Sequence, residues 1–187
     1  MTALRTLRLG PAILGRRVLV TGASGGVGRF AVQLGRLGGA EVTALVGNPN
    51  RAASVRATGA HDVVTDVLQL QGRFDLMLAS VGGDTLAGLL TKLDLDGTLV
   101  MFGNSSGQTT AFNVRDICLD AWVRLQGFEL FHSPLPFARD LRYLARLVAA
   151  GALAPQLAST MPWTDMPAAL ERLRNREAGG KMARTLA

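Results

Sequence analysis

The stretch that most constrains the chain is Val18-Leu19-Val20-Thr21-Gly22-Ala23-Ser24-Gly25-Gly26-Val27-Gly28. A short apolar run suited to a strand buried on both faces ends in a glycine cluster, and from Gly26 the apolar period becomes helical, with Val27, Phe30, Ala31, Leu34 and Leu37 on one stripe and Gly38-Gly39 as the stop. Backbone N–H groups at such a helix start are unpaired and carry the positive end of the helix dipole, so an anion binds there unless a side chain blocks it. Strand, glycine turn and helix in this order predict a phosphate-binding βαβ unit.

The rest of the chain repeats the alternation. Strands are expected at Glu41 to Val46, His61 to Thr65, Phe74 to Ala79, Thr98 to Phe102 and Val123 to Phe131. Asn48 fits an N-cap and Pro49 the first position of a helix that stops at Gly59. Asp84 or Thr85 is expected to cap a helix with Leu86, Leu89, Leu90 and Leu93 as its stripe, and Asp96-Gly97 to turn the chain into the fifth strand. Phe137 to Ala150 reads as a helix with Leu141, Leu144, Leu147 and Val148 inward. After Gly151 come a short strand near Gln156 to Met161, a helix from Thr164 to about Arg176 and a last strand around Lys181 to Leu186. The fold class is therefore α/β, a doubly wound parallel sheet (Rossmann fold) of about six strands with helices on both faces.

In an open sheet of this kind ligands lie beyond the carboxyl ends of the strands. The expected cofactor-binding residues are accordingly Ser24, Gly25, Gly26, Val27 and Gly28 at a dinucleotide's pyrophosphate, and Ser80, Val81, Gly82, Phe102, Gly103, Asn104 and Ser105 toward its nicotinamide half. The second strand ends in Gly47-Asn48-Pro49-Asn50-Arg51, without the carboxylate that holds an NAD ribose. Gly47, Asn48 and Arg51 are expected at a 2′-phosphate, since a guanidinium pairs with phosphate in a bidentate way, and the expected cofactor is NADP(H).

The glycine spacing also fits short-chain dehydrogenases, which need a Tyr-x-x-x-Lys pair. The single tyrosine is Tyr143 with Leu147 four residues on, and the lysines are Lys92 and Lys181. The stretch Gly22 to Leu34 instead resembles the cofactor loop and helix of medium-chain dehydrogenases and reductases, above all their zinc-independent quinone oxidoreductase-like branch. Gly59-Ala60, Phe74-Asp75, Ser80-Val81-Gly82-Gly83, Phe102-Gly103-Asn104-Ser105-Ser106-Gly107, Ala168-Ala169-Leu170-Glu171 and Gly180-Lys181 extend the resemblance from about Thr2 to Leu186. It implies NADP-dependent hydride transfer to a quinone, enone or similar small acceptor. It also implies a catalytic domain ahead of this one, which the 187 residues lack, with Thr2-Ala3-Leu4-Arg5 resembling the interdomain helix. Residues 1–150 are then the nucleotide-binding domain, and 151–187 the segment that packs on the missing part. No catalytic residue is assigned. Weak or no turnover is expected of the chain alone, and the alternative is a non-catalytic NADP(H)-binding sensor or interaction module. By the same resemblance, a homodimer is expected through the strand near Val123 to Phe131.

Composition narrows the remaining classes. Hydrophobic residues at 48% and charged residues at 18% exclude a disordered chain. The apolar runs are too short for a membrane span, and Arg5 and Arg8 interrupt any signal-peptide core, so a cytoplasmic protein without a membrane partner is expected. The charge of +6 is spread along the chain with 5% aromatics, which argues against nucleic acid. The single cysteine, Cys118, reads as a core residue, and with His61 and His132 it offers too few ligands for a structural zinc site, so no metal is expected.

Overall fold

The computed structural model describes residues 1–118, 122–132, 136–175, 177 and 180–186. Its main sheet contains β1 (Arg17–Thr21), β2 (Glu41–Leu45), β3 (Asp62–Val64), β4 (Phe74–Ala79), β5 (Leu93–Met101) and β6 (Arg124–Gly127). All neighbours are parallel, in the order β3-β2-β1-β4-β5-β6. Chain order reverses between β1 and β4, which creates the crevice where doubly wound sheets bind ligands.

Strand periodicity divides the core into two layers. Val18, Val20, Val42, Ala44, Leu76, Leu78 and Val100 form one layer, with Leu4 and Leu7 of α1 (Thr2–Leu7) and Ala31, Val32 and Leu34 of α2 (Gly28–Leu37). Leu19, Leu45, Met77, Ala79 and Leu99 form the other, with Leu89 and Leu90 of α4 (Gly83–Leu90). Central strands buried on both faces are the reason that β1 and β4 read as unbroken apolar runs. Between β2 and β3 the expected helix is a 3₁₀ turn, Pro49–Arg51, followed by α3 (Ala52–Arg56), with the Asn48 side chain accepting from the Asn50 amide at 2.9 Å.

Several boundaries differ from expectation. The cap of α4 is Gly82, whose φ of 79° favours glycine, and not Asp84 or Thr85. Leu93 belongs to β5 and not to the α4 stripe: it pairs with Phe74, and a register shift before Leu76↔Thr98 absorbs residues 94–97. Asp96, at φ 61°, and Gly97 thus mark a bulge inside β5 instead of a turn before it.

After α5 (Val114–Cys118), β6 ends at Gly127, and Leu130–His132 form a 3₁₀ turn, so the expected alternation does not extend to Phe131. Val123 and Phe128 turn into the two core layers. The outer edge of β6 has no partner strand among the described residues, which is the open edge that self-pairing requires. The side chain of Cys118, on which a core role was expected, lies outside the described residues.

In α6 (Phe137–Ala149), Leu144 and Leu147 pack on the core, whereas Leu141 and Val148, which line the same groove as Leu144, are 53% and 40% exposed and are not buried as expected. The helix is held instead by Asp140, which binds Arg5 and Arg8 at 2.7 and 2.6 Å. The closing segment forms a separate two-stranded parallel sheet, β7 (Leu157–Pro162) with β8 (Lys181–Thr185), linked by a 3₁₀ turn, Trp163–Asp165, and α7 (Met166–Arg174). Arg176, the expected end of that last helix, lies outside the described residues. Among the described residues no helix is long and apolar enough to cross a membrane.

Candidate functional site

The glycine loop leaves β1 through Gly22 at φ 58° and turns back on itself, the Gly25 amide donating to the Gly22 carbonyl at 2.9 Å. Val27 precedes α2 as its N-cap with no side-chain hydrogen bond. The amides of Gly26, Val27 and Gly28 meet no acceptor among the described residues, so they form an open cradle at a helix start. A Cβ on Gly28 would strike the Gly22 carbonyl oxygen and stand 2.6 Å from the Ala23 Cα, so this glycine lets α2 pack against the end of β1.

The chain end of β2 lies beside this loop. Gly47 borders open space, and Asn48 spends its carboxamide oxygen capping the turn that carries Arg51. Arg29 reaches the same region from α2: its Nε donates to the Ser24 carbonyl at 3.1 Å and its Nη2 to the Ser54 hydroxyl at 3.0 Å, while that hydroxyl donates to the Arg51 carbonyl at 2.8 Å. Arg29 as a residue is 5% exposed, and burial first, then the charge of Arg51, pulls its pKa below the ordinary arginine value. Ser54 thus ties the Arg29 guanidinium to the backbone of Arg51 beyond β2. Sequence reasoning missed Arg29. Its signal was a basic residue in the first turn of a helix, where the macrodipole disfavours positive charge.

The loops after β4 and β5 are zipped together, the Ser105 amide donating to the Ser80 carbonyl at 3.0 Å and the Ser106 amide to the Val81 carbonyl at 2.9 Å. The Ser80 hydroxyl donates to the Thr21 carbonyl at 3.2 Å, and Thr21 Oγ1 accepts from the Ser80 amide at 3.0 Å. Asn104 donates to the Gln108 carbonyl at 3.1 Å and accepts from Ser106 Oγ at 3.0 Å. Gly82 leaves room for that Asn104 oxygen, and a Cβ on Gly103 would stand 3.2 Å from the Ser80 carbonyl oxygen. Phe102 packs on the core layer beside α2. The expected residues of both loops therefore sit together at the strand ends, where the polar side chains of Ser80 and Asn104 serve to shape the wall.

The profile of the family described as "Zinc-binding dehydrogenase" matches residues 53–183. This chain belongs to the medium-chain dehydrogenase/reductase superfamily, in its zinc-independent quinone oxidoreductase-like branch. It is 29% identical over 191 residues to NAD(P)H oxidoreductase RTN4IP1, mitochondrial, of Homo sapiens, covering 89% of this chain and 47% of that protein. It is 34% identical over 110 residues to a quinone oxidoreductase of Pseudomonas aeruginosa, covering 54% and 34%. The crystal structure of AibC superposes with a TM-score of 0.86 at 27% identity, over 97% of this chain and 52% of that one. The chain thus spans about half the length of the RTN4IP1 relative.

Two groups implied by the family are tested by the residues present. Among the described residues no three His, Cys, Asp or Glu side chains converge as zinc ligands would. A nicotinamide dinucleotide does fit, because the amides of Gly26, Val27 and Gly28 at the start of α2 are open to its pyrophosphate and the two glycines add no side chain there.

Proposed function

We propose that this chain is the NADP(H)-binding domain of an oxidoreductase that transfers hydride between the nicotinamide and a quinone, enone or similar small acceptor. The observation that carries the reading is the open amide cradle of Gly26, Val27 and Gly28, beside which Ser54 joins the Arg29 guanidinium to the Arg51 carbonyl. When bound, the nicotinamide supplies the hydride chemistry.

The chain's own residues bind and orient. The Gly26, Val27 and Gly28 amides and the α2 dipole hold the pyrophosphate. Arg51, backed by the buried Arg29, takes the 2′-phosphate, with Asn48 fixing the turn that presents it. The zipped loops after β4 and β5 form a rigid wall for the nicotinamide half, which limits water and fixes its angle to an acceptor.

Replacing Arg51 by Ala is the test. One charge-assisted bond to phosphate contributes about 1.5–3 kcal/mol, so NADPH affinity falls roughly ten- to hundredfold, while NADH affinity, measured by calorimetry on the same variant, stays put. An equal loss for both nucleotides contradicts the 2′-phosphate role.

A further inference from the structure

We infer that Arg29 and Ser54 are positioning residues that brace the turn carrying Arg51 against the glycine loop, so that selectivity for a 2′-phosphate depends on two side chains that do not touch it. The inference rests on the cofactor reading above and adds to it residues that hold no ligand themselves.

Arg29 has the place of a phosphate ligand but not the freedom of one. Its Nε donates to the Ser24 carbonyl at 3.1 Å, its Nη1 to the Ser54 carbonyl at 3.4 Å and its Nη2 to the Ser54 hydroxyl at 3.0 Å, so each nitrogen of the guanidinium already has a protein acceptor. The residue is 5% exposed. Its planar fork therefore holds two backbone segments, the glycine loop at Ser24 and α3 at Ser54, at a fixed separation.

Ser54 passes that hold to Arg51. Its hydroxyl accepts from Arg29 and donates to the Arg51 carbonyl at 2.8 Å, while the Arg51 amide donates to the Asn48 carbonyl at 3.0 Å. The peptide groups on both sides of the Arg51 Cα are thus held, one by the Asn48 turn and one by the brace. Burial first and then the charge of Arg51 lower the Arg29 pKa, so the two charges feel each other and an anion accepted by Arg51 relieves both. A turn that is held before the nucleotide arrives need not be ordered on binding. The amides of Gly26, Val27 and Gly28 do not depend on Ser54, so the brace acts on NADPH and not on NADH.

Calorimetric titration of the full chain, Ser54→Ala, Ser54→Thr, Arg51→Ala and the double variant Ser54→Ala with Arg51→Ala tests this, each with NADPH and with NADH. Ser54→Ala removes the hydroxyl and leaves the Arg29 bond to Ser24, so NADPH affinity falls roughly two- to tenfold, the contribution of one neutral hydrogen bond, and NADH affinity stays that of the parent. Ser54→Thr keeps a hydroxyl and binds both nucleotides as the parent does. In the double variant the loss is that of Arg51→Ala alone, because the serine acts only through the arginine. Ser54 is exposed and alanine favours a helix, so the unliganded melting temperature of Ser54→Ala stays that of the parent. Parent-like NADPH affinity of Ser54→Ala, an equal loss for both nucleotides, or losses that add in the double variant each overturn the inference and leave the cofactor reading standing. Parent-like selectivity of Arg51→Ala for NADPH over NADH overturns the 2′-phosphate reading itself, and this inference with it.

Discussion

Replacing Asp140 by Ala is expected to destabilise the chain by about 3 kcal/mol, read as a lower urea midpoint at neutral pH. Asp140 lies in the first turn of α6 and is 6% exposed, and its two oxygens accept from Arg5 Nε at 2.7 Å and Arg8 Nη1 at 2.6 Å. Arg5 is itself 5% exposed, so removing the carboxylate takes the counter-charge from a buried guanidinium. Its other contacts include the Pro136 carbonyl, which accepts at 3.1 Å, and the Phe137 ring, 4.8 Å from the guanidinium carbon. Those contacts put the loss at the lower end of the range for broken buried pairs. Arg8 is half exposed, and its bond matters less.

Burial alone raises the Asp140 pKa, but the hydrogen bonds and charges of Arg5 and Arg8 outweigh it and hold it below the ordinary carboxylate value. A depressed folded-state pKa contributes stability above the unfolded value, about 3.9, and that stability is lost as pH falls through the folded value. The parent should therefore lose stability below pH 4 by a term that Asp140→Asn lacks. A loss under about 1 kcal/mol for Asp140→Ala would show an exposed, screened pair in place of a clasp between α1 and α6.

Gly28→Ala is the second large effect. The added Cβ meets backbone, the Gly22 carbonyl oxygen and the Ala23 Cα and C, so no rotamer change relieves it and α2 must lift from β1. We expect a cost of about 2 kcal/mol, despite the gain of about 1 kcal/mol that Ala brings to a helix, together with loss of NADPH binding as the amide cradle distorts. Gly127→Ala is the control, because nothing lies within 4 Å of its Cβ position. Unchanged urea midpoints for Gly28→Ala would mean that α2 sits farther from β1 than described.

How much of this was legible in the sequence depends on where the signal lay. The limits of β1 and β4 were readable because both are central strands, buried on both faces and bounded by loops. The bulge in β5 was not, since Asp96-Gly97 carries the same residues that a turn uses and only the pairing of Leu93 with Phe74 distinguishes the two. The inward face of α6 was misread because a periodic stripe says which residues share a face, not how much of it is covered. Leu144 and Leu147 are covered, Leu141 and Val148 are not, and the anchoring residue is the polar Asp140, whose partners lie more than 130 positions away.

In the site, the glycines were legible from local order alone. The place of Arg29, buried beside the loop and bonded to Ser24 and Ser54, arises only from tertiary contacts. Ser80 and Asn104 show the converse: both were expected beside a ligand, and their polar groups are engaged in joining loops.

If the strand ends of β1 and β2 form a site selective for NADP(H), calorimetric titration of the parent chain with NADPH and NADH under identical salt shows it. Saturable binding of both is expected, with NADPH tighter by roughly tenfold or more, the contribution of a phosphate paired with a guanidinium. Equal affinities, tighter NADH binding, or no heat with either nucleotide would contradict it.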